Sequence, residues 1–148
     1  MPFLFMSCWN NAKEEGFYEY SRISYIYRLP VIEPYEITSP DNGANWTITF
    51  KNNPSSIHDG AQFLTKIGIH DSIFIVYSPR DLSFSSDHPQ VWALIDIPKK
   101  EEKVFTSEKD YKVYLRAKGI EDLKLHDINA LFIDFDKNKR LPPEWPNK

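Results

Sequence analysis

Residues 64–77 read LTKIGIHDSIFIVY, and this stretch decides the fold because two apolar runs flank a short polar turn. Leu64–Ile69 and Ile73–Tyr77 are rich in β-branched and aromatic residues, and His70-Asp71-Ser72 lies between them, which predicts a β-hairpin. Ile73–Val76 is continuously apolar, as is typical of a central strand covered on both faces. The hairpin is therefore predicted to lie at the centre of a sheet.

Further strands are predicted on both sides of this hairpin. Gly16–Leu29 alternates aromatic and polar residues, Asn45–Phe50 alternates regularly, and Val91–Ile97 is another strand of the buried type. Three prolines bracket Val31–Thr38, which predicts an edge or irregular strand, because proline cannot donate to a sheet ladder. Lys99–Lys103, KKEEK, is predicted to be a charged turn.

Two short helices are predicted after the strands. Ser107 is a candidate N-cap, apolar residues follow at helical spacing and Gly119 supplies a stop, so the first helix is placed at Ser107–Lys118. Asp127 is the candidate cap of a second helix at Asp127–Lys137, whose apolar face is Ile128, Leu131, Phe132 and Phe135. No helix of crossover length separates the strands. The predicted class is therefore α+β, with a mostly antiparallel β-sheet and the two C-terminal helices packed on one face.

Size, charge and cysteine content limit the classes of function. The 148 residues suit a single domain, placed at residues 16–148, preceded by a separate N-terminal segment at residues 1–15. The net charge is −3 and no basic face is visible, so nucleic acid is not an expected partner. The lone cysteine, Cys8, excludes an intramolecular disulfide and a cysteine-based zinc site.

The N-terminal residues 1–11, MPFLFMSCWNN, have two interpretations. In the first, they form a strand with a partly buried free cysteine. In the second, they are the remnant of a bacterial lipoprotein signal, Phe5-Met6-Ser7 is a loose lipobox, and Cys8 carries a lipid. The second interpretation requires basic residues upstream, because a secretory signal has a basic n-region and a longer apolar segment. Both interpretations stay open, and with them a location in the cell envelope or in the cytoplasm.

The histidines and clustered acids are predicted to be structural. His58-Asp59, His70-Asp71 and His126-Asp127 fall in predicted turns or at a helix start, where aspartate caps and bonds nearby backbone groups. Asp134–Asn138 resembles the first half of a calcium loop, but the later positions that require Gly and Glu carry other residues. The chain also has no nucleophile elbow, phosphate-binding loop or zinc-protease motif. No catalytic residue, cofactor or metal is therefore expected.

The long polar loop Ser78–Pro89 is the place where an exposed binding surface is expected, because long loops without structure are often functional. Tyrosine and tryptophan are common here and are enriched at protein interfaces, although most of them are expected to fill the core. The candidate partner-binding residues are Arg80, Asp81, Phe84, Asp87 and His88.

The C-terminal half has a recognisable pattern: KIGIHDSIFIVYS, VWALIDIPKKEEKVF, TSEKDYKVYLRAKGIEDLKLHD, FDKN and LPPEW. A W-x-x-I-D strand precedes a charged turn, and a tyrosine-containing helix that ends in Gly-Ile follows. This pattern resembles small bacterial envelope or immunity-type proteins of unassigned function. The resemblance implies a bacterial source, attachment through Cys8 and a non-enzymatic role, and it transfers no functional residue.

The expected function is that of a non-enzymatic bacterial accessory protein that binds a protein partner, such as an immunity protein that neutralises a basic toxin. Two alternatives stay open. One is an envelope lipoprotein with a structural role. The other is a hydrolase or ligand-binding domain whose site assembles only in three dimensions, which would be favoured by a deep pocket lined by at least two of His58, His70, His88, Asp81 and Asp87.

Overall fold

Two five-stranded antiparallel sheets make up most of the computed structural model, which describes residues 16–52, 59–84 and 86–146. The first sheet has the order β1 (Arg22–Ile23), β2 (Ile26–Ile32), β3 (Tyr35–Ser39), β4 (Trp46–Thr49), β5 (Gly60–Leu64). The second sheet has the order β10 (His126–Asp127), β6 (Lys66–His70), β7 (Ile73–Ser78), β8 (Val91–Asp96), β9 (Glu101–Phe105). The helices are α1 (Glu108–Ala117) and α2 (Ile128–Asn138).

The main core lies between the two sheets. The Tyr35 ring of β3 meets the Phe74 ring of β7 edge to face, with 5.4 Å between centroids. Helix α2 contributes to the same core at the end of the first sheet where β2 and β4 begin. Buried side chains from both sheets, α2 and the C-terminal tail form this core, among them Leu29, Ile37, Trp46, Ile67, Val76, Ile95, Ile128, Phe132, Phe135 and Trp145.

Helix α1 covers the outer face of the second sheet. There Ile75, Trp92 and Leu94 pack against Tyr111 and Leu115, in an outer cluster separate from the main core. Because this sheet is covered on both faces, every residue of β8 is buried. The continuously apolar runs in its central strands follow from this arrangement.

The chain passes from one sheet to the other at Thr65, the single residue between β5 and β6. Its N–H donates to the carbonyl of Tyr77, and its carbonyl accepts from the N–H of Ile128 at the start of α2. Just before it, Phe63 has a positive φ of 53°, and its N–H donates to Asn45 Oδ1. This local bulge bends the strand and carries it between the sheets.

At Gly68 the backbone of β6 lies very close to the segment that connects the two helices. A Cβ at this position would lie 2.5 Å from the carbonyl oxygen of Lys124. Glycine therefore lets the segment that follows α1 cross over β6 and enter β10. This crossing sets the point at which α2 begins.

The structure confirms the antiparallel pairing and both C-terminal helices, and it corrects four details. Two sheets form where one was predicted, and the helices do not share a face, because α1 lies on the outer face and α2 in the main core. Val31–Thr38 spans a β-hairpin instead of one edge strand, and Lys99–Lys103 runs into β9. The predictions for Cys8 and the rest of residues 1–15 lie outside the described residues.

Candidate partner-binding surface

Asp81 is buried within the loop where partner-binding residues were predicted. Its side chain is 1% exposed, Oδ2 accepts from the N–H of Gln62 at 2.7 Å, and Oδ1 accepts from both the N–H and the hydroxyl of Ser83. These bonds fasten the loop to β5. Asp81 therefore holds the loop in place and does not present a carboxylate to a partner.

The other predicted loop residues differ in their exposure. Phe84 is half-buried and packs against the main core, whereas Asp87 and His88 are exposed. Arg80 is exposed, and its guanidinium lies 4.5 Å from the centroid of the Phe63 ring. The loop thus presents three exposed polar residues, and their contact with a partner stays a prediction.

Two of the three histidine–aspartate pairs, His70-Asp71 and His126-Asp127, lie at a turn and at a helix start, as predicted. Asp71 has a φ of 52° in the β6–β7 turn, and Asp127 caps α2 by accepting from the N–H of Ala130 at 2.8 Å. His126 Nε2 lies 2.7 Å from Glu144 Oε1 in the C-terminal tail. His58 lies outside the described residues. Within the described ranges, no three His, Cys, Asp or Glu side chains are grouped as a metal ion would require.

A buried arginine fastens the segment before β1 to the outer face of the first sheet. The side chain of Arg28 is fully buried, its Nε pairs with Glu36, and its Nη1 donates to the carbonyl of Tyr20 at 2.8 Å. The rings of Tyr20 and Phe17 lie 4.0 and 4.6 Å from the guanidinium carbon. Cation–π contacts and the ion pair offset part of the hydration that this charge has lost, and Arg28 Nη2 is buried without a hydrogen-bond partner among the described residues.

Glu102 ties the two sheets together in a similar way. Its Oε1 accepts from the Tyr35 hydroxyl at 2.6 Å and from the backbone N–H groups of Lys51 and Asn52. Burial, with the Glu102 carboxylate beside it, raises the pKa of the Tyr35 phenol. The phenol therefore remains a hydrogen-bond donor across the neutral range, and its role is to join β3 to β9.

Exposed apolar side chains occur mainly on the β1–β2 hairpin and on the helix to which it is fastened. Among the described residues, six large apolar side chains are exposed, and four of these lie on the β1–β2 hairpin or on α2. They are Ile23 (45% exposed), Tyr25 (88%), Ile26 (38%) and Ile133 (66%). We call these four residues, together with the groove described below, the hairpin–helix surface.

An ion pair fastens this hairpin to α2. Arg22 Nη2 lies 2.9 Å from Asp136 Oδ2, and the Arg22 guanidinium lies 4.4 Å above the Tyr27 ring. Ser21 donates its hydroxyl hydrogen to the other oxygen of Asp136. The guanidinium and the hydroxyl lower the pKa of the Asp136 carboxyl to about 2. The hairpin is therefore held against the helix throughout the neutral range.

Between the hairpin and α2 lies an open groove of about 680 Å³. Its floor is aromatic, because the rings of Tyr27 and Phe132 stack with centroids 4.5 Å apart and Trp46 packs on Phe132 at 5.2 Å. The indole N–H of Trp46 donates to Asn129 Oδ1 at 2.7 Å, which fixes one wall. Residues 42–44, Ile133, Lys137 and the ion pair between Arg22 and Asp136 complete the lining.

The surroundings of this groove are basic, although the chain as a whole carries a charge of −3. Lys139 donates to the Ser21 hydroxyl at 3.1 Å, and Lys137 and Arg140 are exposed and form no ion pair with any described residue. Asp134 accepts from the Asn138 side chain. The groove itself is lined by two cations, Arg22 and Lys137, and by one carboxylate, Asp136, which is paired with Arg22.

Sequence reasoning missed this surface, although one signal was present. The apolar face predicted for α2 correctly contains Ile128, Phe132 and Phe135, and Ile133 lies off that face. An isoleucine on the solvent side of a helix is ordinary when isolated. It is informative only beside the exposed hairpin, and sequence cannot place the two together.

Comparisons with known proteins give no relative, because no protein family, curated protein or solved structure matches this chain. Neither helix in the described residues has the length and apolar character needed to cross a bilayer.

Proposed function

We propose that this chain is a non-enzymatic accessory protein that binds a protein partner through the hairpin–helix surface. The observation that carries the proposal is the concentration of exposed apolar side chains on the hairpin and α2, led by Tyr25 at 88% exposure. Exposed apolar groups that gather beside charged residues are typical of interaction sites, and tyrosine is enriched where binding energy is concentrated. A hairpin fastened by Arg22 and Asp136 presents such groups with little loss of freedom on binding.

The use of the charged side chains also supports binding over catalysis. Asp81 is bonded to Gln62 and Ser83, and Asp136 to Arg22 and Ser21. Asp96, which is buried in β8, pairs with Lys118 beyond α1 at 2.8 Å. A general acid or base must reach a substrate proton, whereas these groups hold elements of the fold together.

The ligand-pocket alternative receives little support from the cavities. Apart from the groove, clefts of about 120, 410 and 300 Å³ lie among the described residues. Their walls, like those of the groove, do not include His70, Asp81, Asp87 or His88. Arg80 lines the smallest cleft beside Phe63, which gives that cleft one cation over an aromatic ring.

A more specific form of the proposal is that the protein is a bacterial immunity protein that neutralises a toxin. It rests on the sequence resemblance of the C-terminal half and on small size. Attachment to the cell envelope through a lipid on Cys8 belongs to the same proposal. Metabolic labelling with radioactive palmitate, in cells that express the gene from its native locus, tests the lipid. Label that is present on the wild type and absent from Cys8→Ser supports it, and an unlabelled wild type contradicts it.

Site-specific photo-crosslinking in the native host tests partner binding. A photo-reactive amino acid is placed at Tyr25, and in a matched control at Val113, which is 53% exposed on α1. We expect one discrete crosslinked protein from position 25 and none from position 113. The partner, once identified and purified, should bind the wild type directly in calorimetry. Ile133→Asp should weaken that binding about tenfold or more, because a buried hot-spot contact is replaced by a charge.

Two results would count against partner binding at this surface. The first is equal crosslinking from positions 25 and 113. The second is a purified partner that binds Ile133→Asp as tightly as the wild type. Val113→Asp serves as the control for the added charge, and it should leave the affinity unchanged.

A further inference from the structure

We infer that the groove beside α2 receives an acidic segment of the partner, a linear stretch in which carboxylates flank a large apolar side chain. This inference rests on the proposed function and deepens it by naming the chemistry of the segment that binds. Three features of the groove point to the same occupant: an apolar floor, a lysine that forms no ion pair with a described residue, and side-chain amides in the lining.

The aromatic floor of the groove favours a ligand with an apolar side chain. Tyr27 and Phe132 stack in parallel beneath the groove, and Ile133 stands at its edge with two thirds of its surface exposed. Burying apolar area of this kind is favourable by about 25 cal/mol per Å². The groove, at about 680 Å³, falls within the roughly 300–1,000 Å³ of typical ligand sites, so it has room for a large side chain and its neighbours.

The charge of the groove favours a negatively charged ligand. Lys137 lines the groove, Arg140 is exposed beyond the end of α2, and neither forms an ion pair with a described residue. Arg22, in contrast, is engaged by Asp136. A carboxylate that approaches Lys137 would therefore not compete with a carboxylate of this chain. Charge of this kind speeds association and selects the orientation of the segment.

Side-chain amides also line the groove. Asn129 uses its Oδ1 to accept from Trp46, and it lies on the same face of α2 as Ile133 and Lys137, at intervals of four residues. Asn42 lines the groove from a turn in which its φ is 59°. Side-chain amides donate to carboxylates with good geometry. An acidic segment therefore meets both a lysine and amide groups along an apolar floor.

The groove is lined by only two cations, Arg22 and Lys137, and by one carboxylate, Asp136, which favours a short acidic segment over an extended polyanion. A nucleic acid or an anionic membrane would require several phosphate contacts spread over a wide basic face. The groove supplies a narrow basic rim around an aromatic floor. A peptide matches this geometry better than either surface does.

Selection from a random linear peptide library displayed on phage tests the inference. The baits are the full chain, Lys137→Glu, Ile133→Asp and the control Lys112→Glu, which changes an exposed lysine on α1. We expect the wild type to enrich peptides with Asp or Glu around Phe, Leu or Trp. A synthetic copy of the enriched peptide should bind the wild type and Lys112→Glu equally in fluorescence anisotropy. It should bind Lys137→Glu about tenfold more weakly, because attraction becomes repulsion.

Circular dichroism checks that every variant is folded. We expect all of them to fold, because Lys137 and Ile133 are both exposed. Three outcomes overturn the inference: no enrichment, enrichment of basic or uncharged motifs, and binding that survives Lys137→Glu. A fourth is co-sedimentation with phosphatidylglycerol vesicles that depends on Lys137 while no peptide binds, because the occupant would then be a membrane surface. If Tyr25 crosslinks a protein in the host while the library yields basic peptides, the proposed function stands and this inference alone fails.

Discussion

The two helices have similar N-caps but different positions in the fold. Each has a side-chain N-cap, Ser107 for α1 and Asp127 for α2, and each is about three turns long. Helix α1 lies outside the second sheet over a small cluster, and its solvent face carries an ion pair between Glu108 and Lys112. Helix α2 is part of the main core, and its solvent face borders the aromatic groove.

This contrast separates two uses of an amphipathic helix. The exposed face of α1 carries charges four residues apart, which give a modest stabilisation, together with one exposed apolar residue, Val113. The exposed face of α2 also carries an exposed apolar residue, Ile133, but this one lines a groove with an aromatic floor, and the helix is fastened to a hairpin with exposed apolar side chains of its own. An exposed apolar residue on a helix thus marks a candidate binding site when a neighbouring element also exposes apolar residues.

The largest difference between the helices should come from their buried faces. Phe135→Ala in α2 should lower the free energy of unfolding by about 3–5 kcal/mol, because it opens a cavity in the main core. Leu115→Ala in α1 should cost about 2 kcal/mol, since the outer cluster is smaller and borders solvent. Urea denaturation of both variants measures this. Equal losses would show that the outer cluster is as important to the fold as the main core.

A smaller difference is expected at the caps. Asp127 Oδ1 accepts from Ala130 N at 2.8 Å, whereas Ser107 Oγ accepts from Asp110 N at 3.4 Å. The shorter bond from a charged acceptor is the stronger, so Asp127→Ala should cost about 1–2 kcal/mol and Ser107→Ala about 0.5 kcal/mol. Thermal unfolding of the two variants gives the order. A larger loss for Ser107→Ala would contradict it.

The smallest effect is a pH dependence specific to α2. The pKa of Asp136 is about 2 in the folded protein, below its ordinary value of 3.8, so the folded state binds fewer protons than the unfolded state. The stabilisation is fully present above about pH 4 and is lost as the pH falls toward 2. Asp136→Asn should remove this part of the acid-induced loss, measured as unfolding free energy at steps from pH 5 to pH 2.5.

Asp134→Asn on the same helix is the matched control. It leaves the pair between Arg22 and Asp136 intact, so the wild-type decline should persist. Added salt should reduce the difference between the two variants, because the pair is partly exposed and is screened. Identical acid profiles for Asp136→Asn and the wild type would show that the ion pair does not stabilise the hairpin against α2.

Local chemistry made part of this fold predictable. The helix starts were placed correctly because capping is a contact between a side chain and the backbone three residues away, as at Ser107 and Asp127. The β6–β7 hairpin was placed correctly for the same reason, since its turn and its apolar runs are adjacent in sequence. The burial of Asp81 was not predictable, because one of its donors is the N–H of Gln62 in a strand nineteen positions earlier.

The division into two sheets depended on contacts far apart in the chain. Nothing in the sequence around Thr65 marks it as the point where the chain passes between the sheets. That point is fixed by backbone hydrogen bonds to Tyr77 and Ile128. The charges of Glu101 and Glu102 led to the prediction of a turn where β9 begins. In the structure both carboxylates accept hydrogen bonds from tyrosine hydroxyls, Glu101 from Tyr114 and Glu102 from Tyr35. Edge strands tolerate such charges, which also discourage pairing with other chains.

The position of α2 in the main core has a consequence for how the protein is made. Ser21 meets Asp136 across 115 residues, and the aromatic rings of Tyr27 and Trp46 are covered by Phe132. During synthesis these early rings leave the ribosome long before the helix that covers them. The nascent chain therefore carries an exposed aromatic surface until α2 has been translated, a period in which chaperone binding would protect it from aggregation.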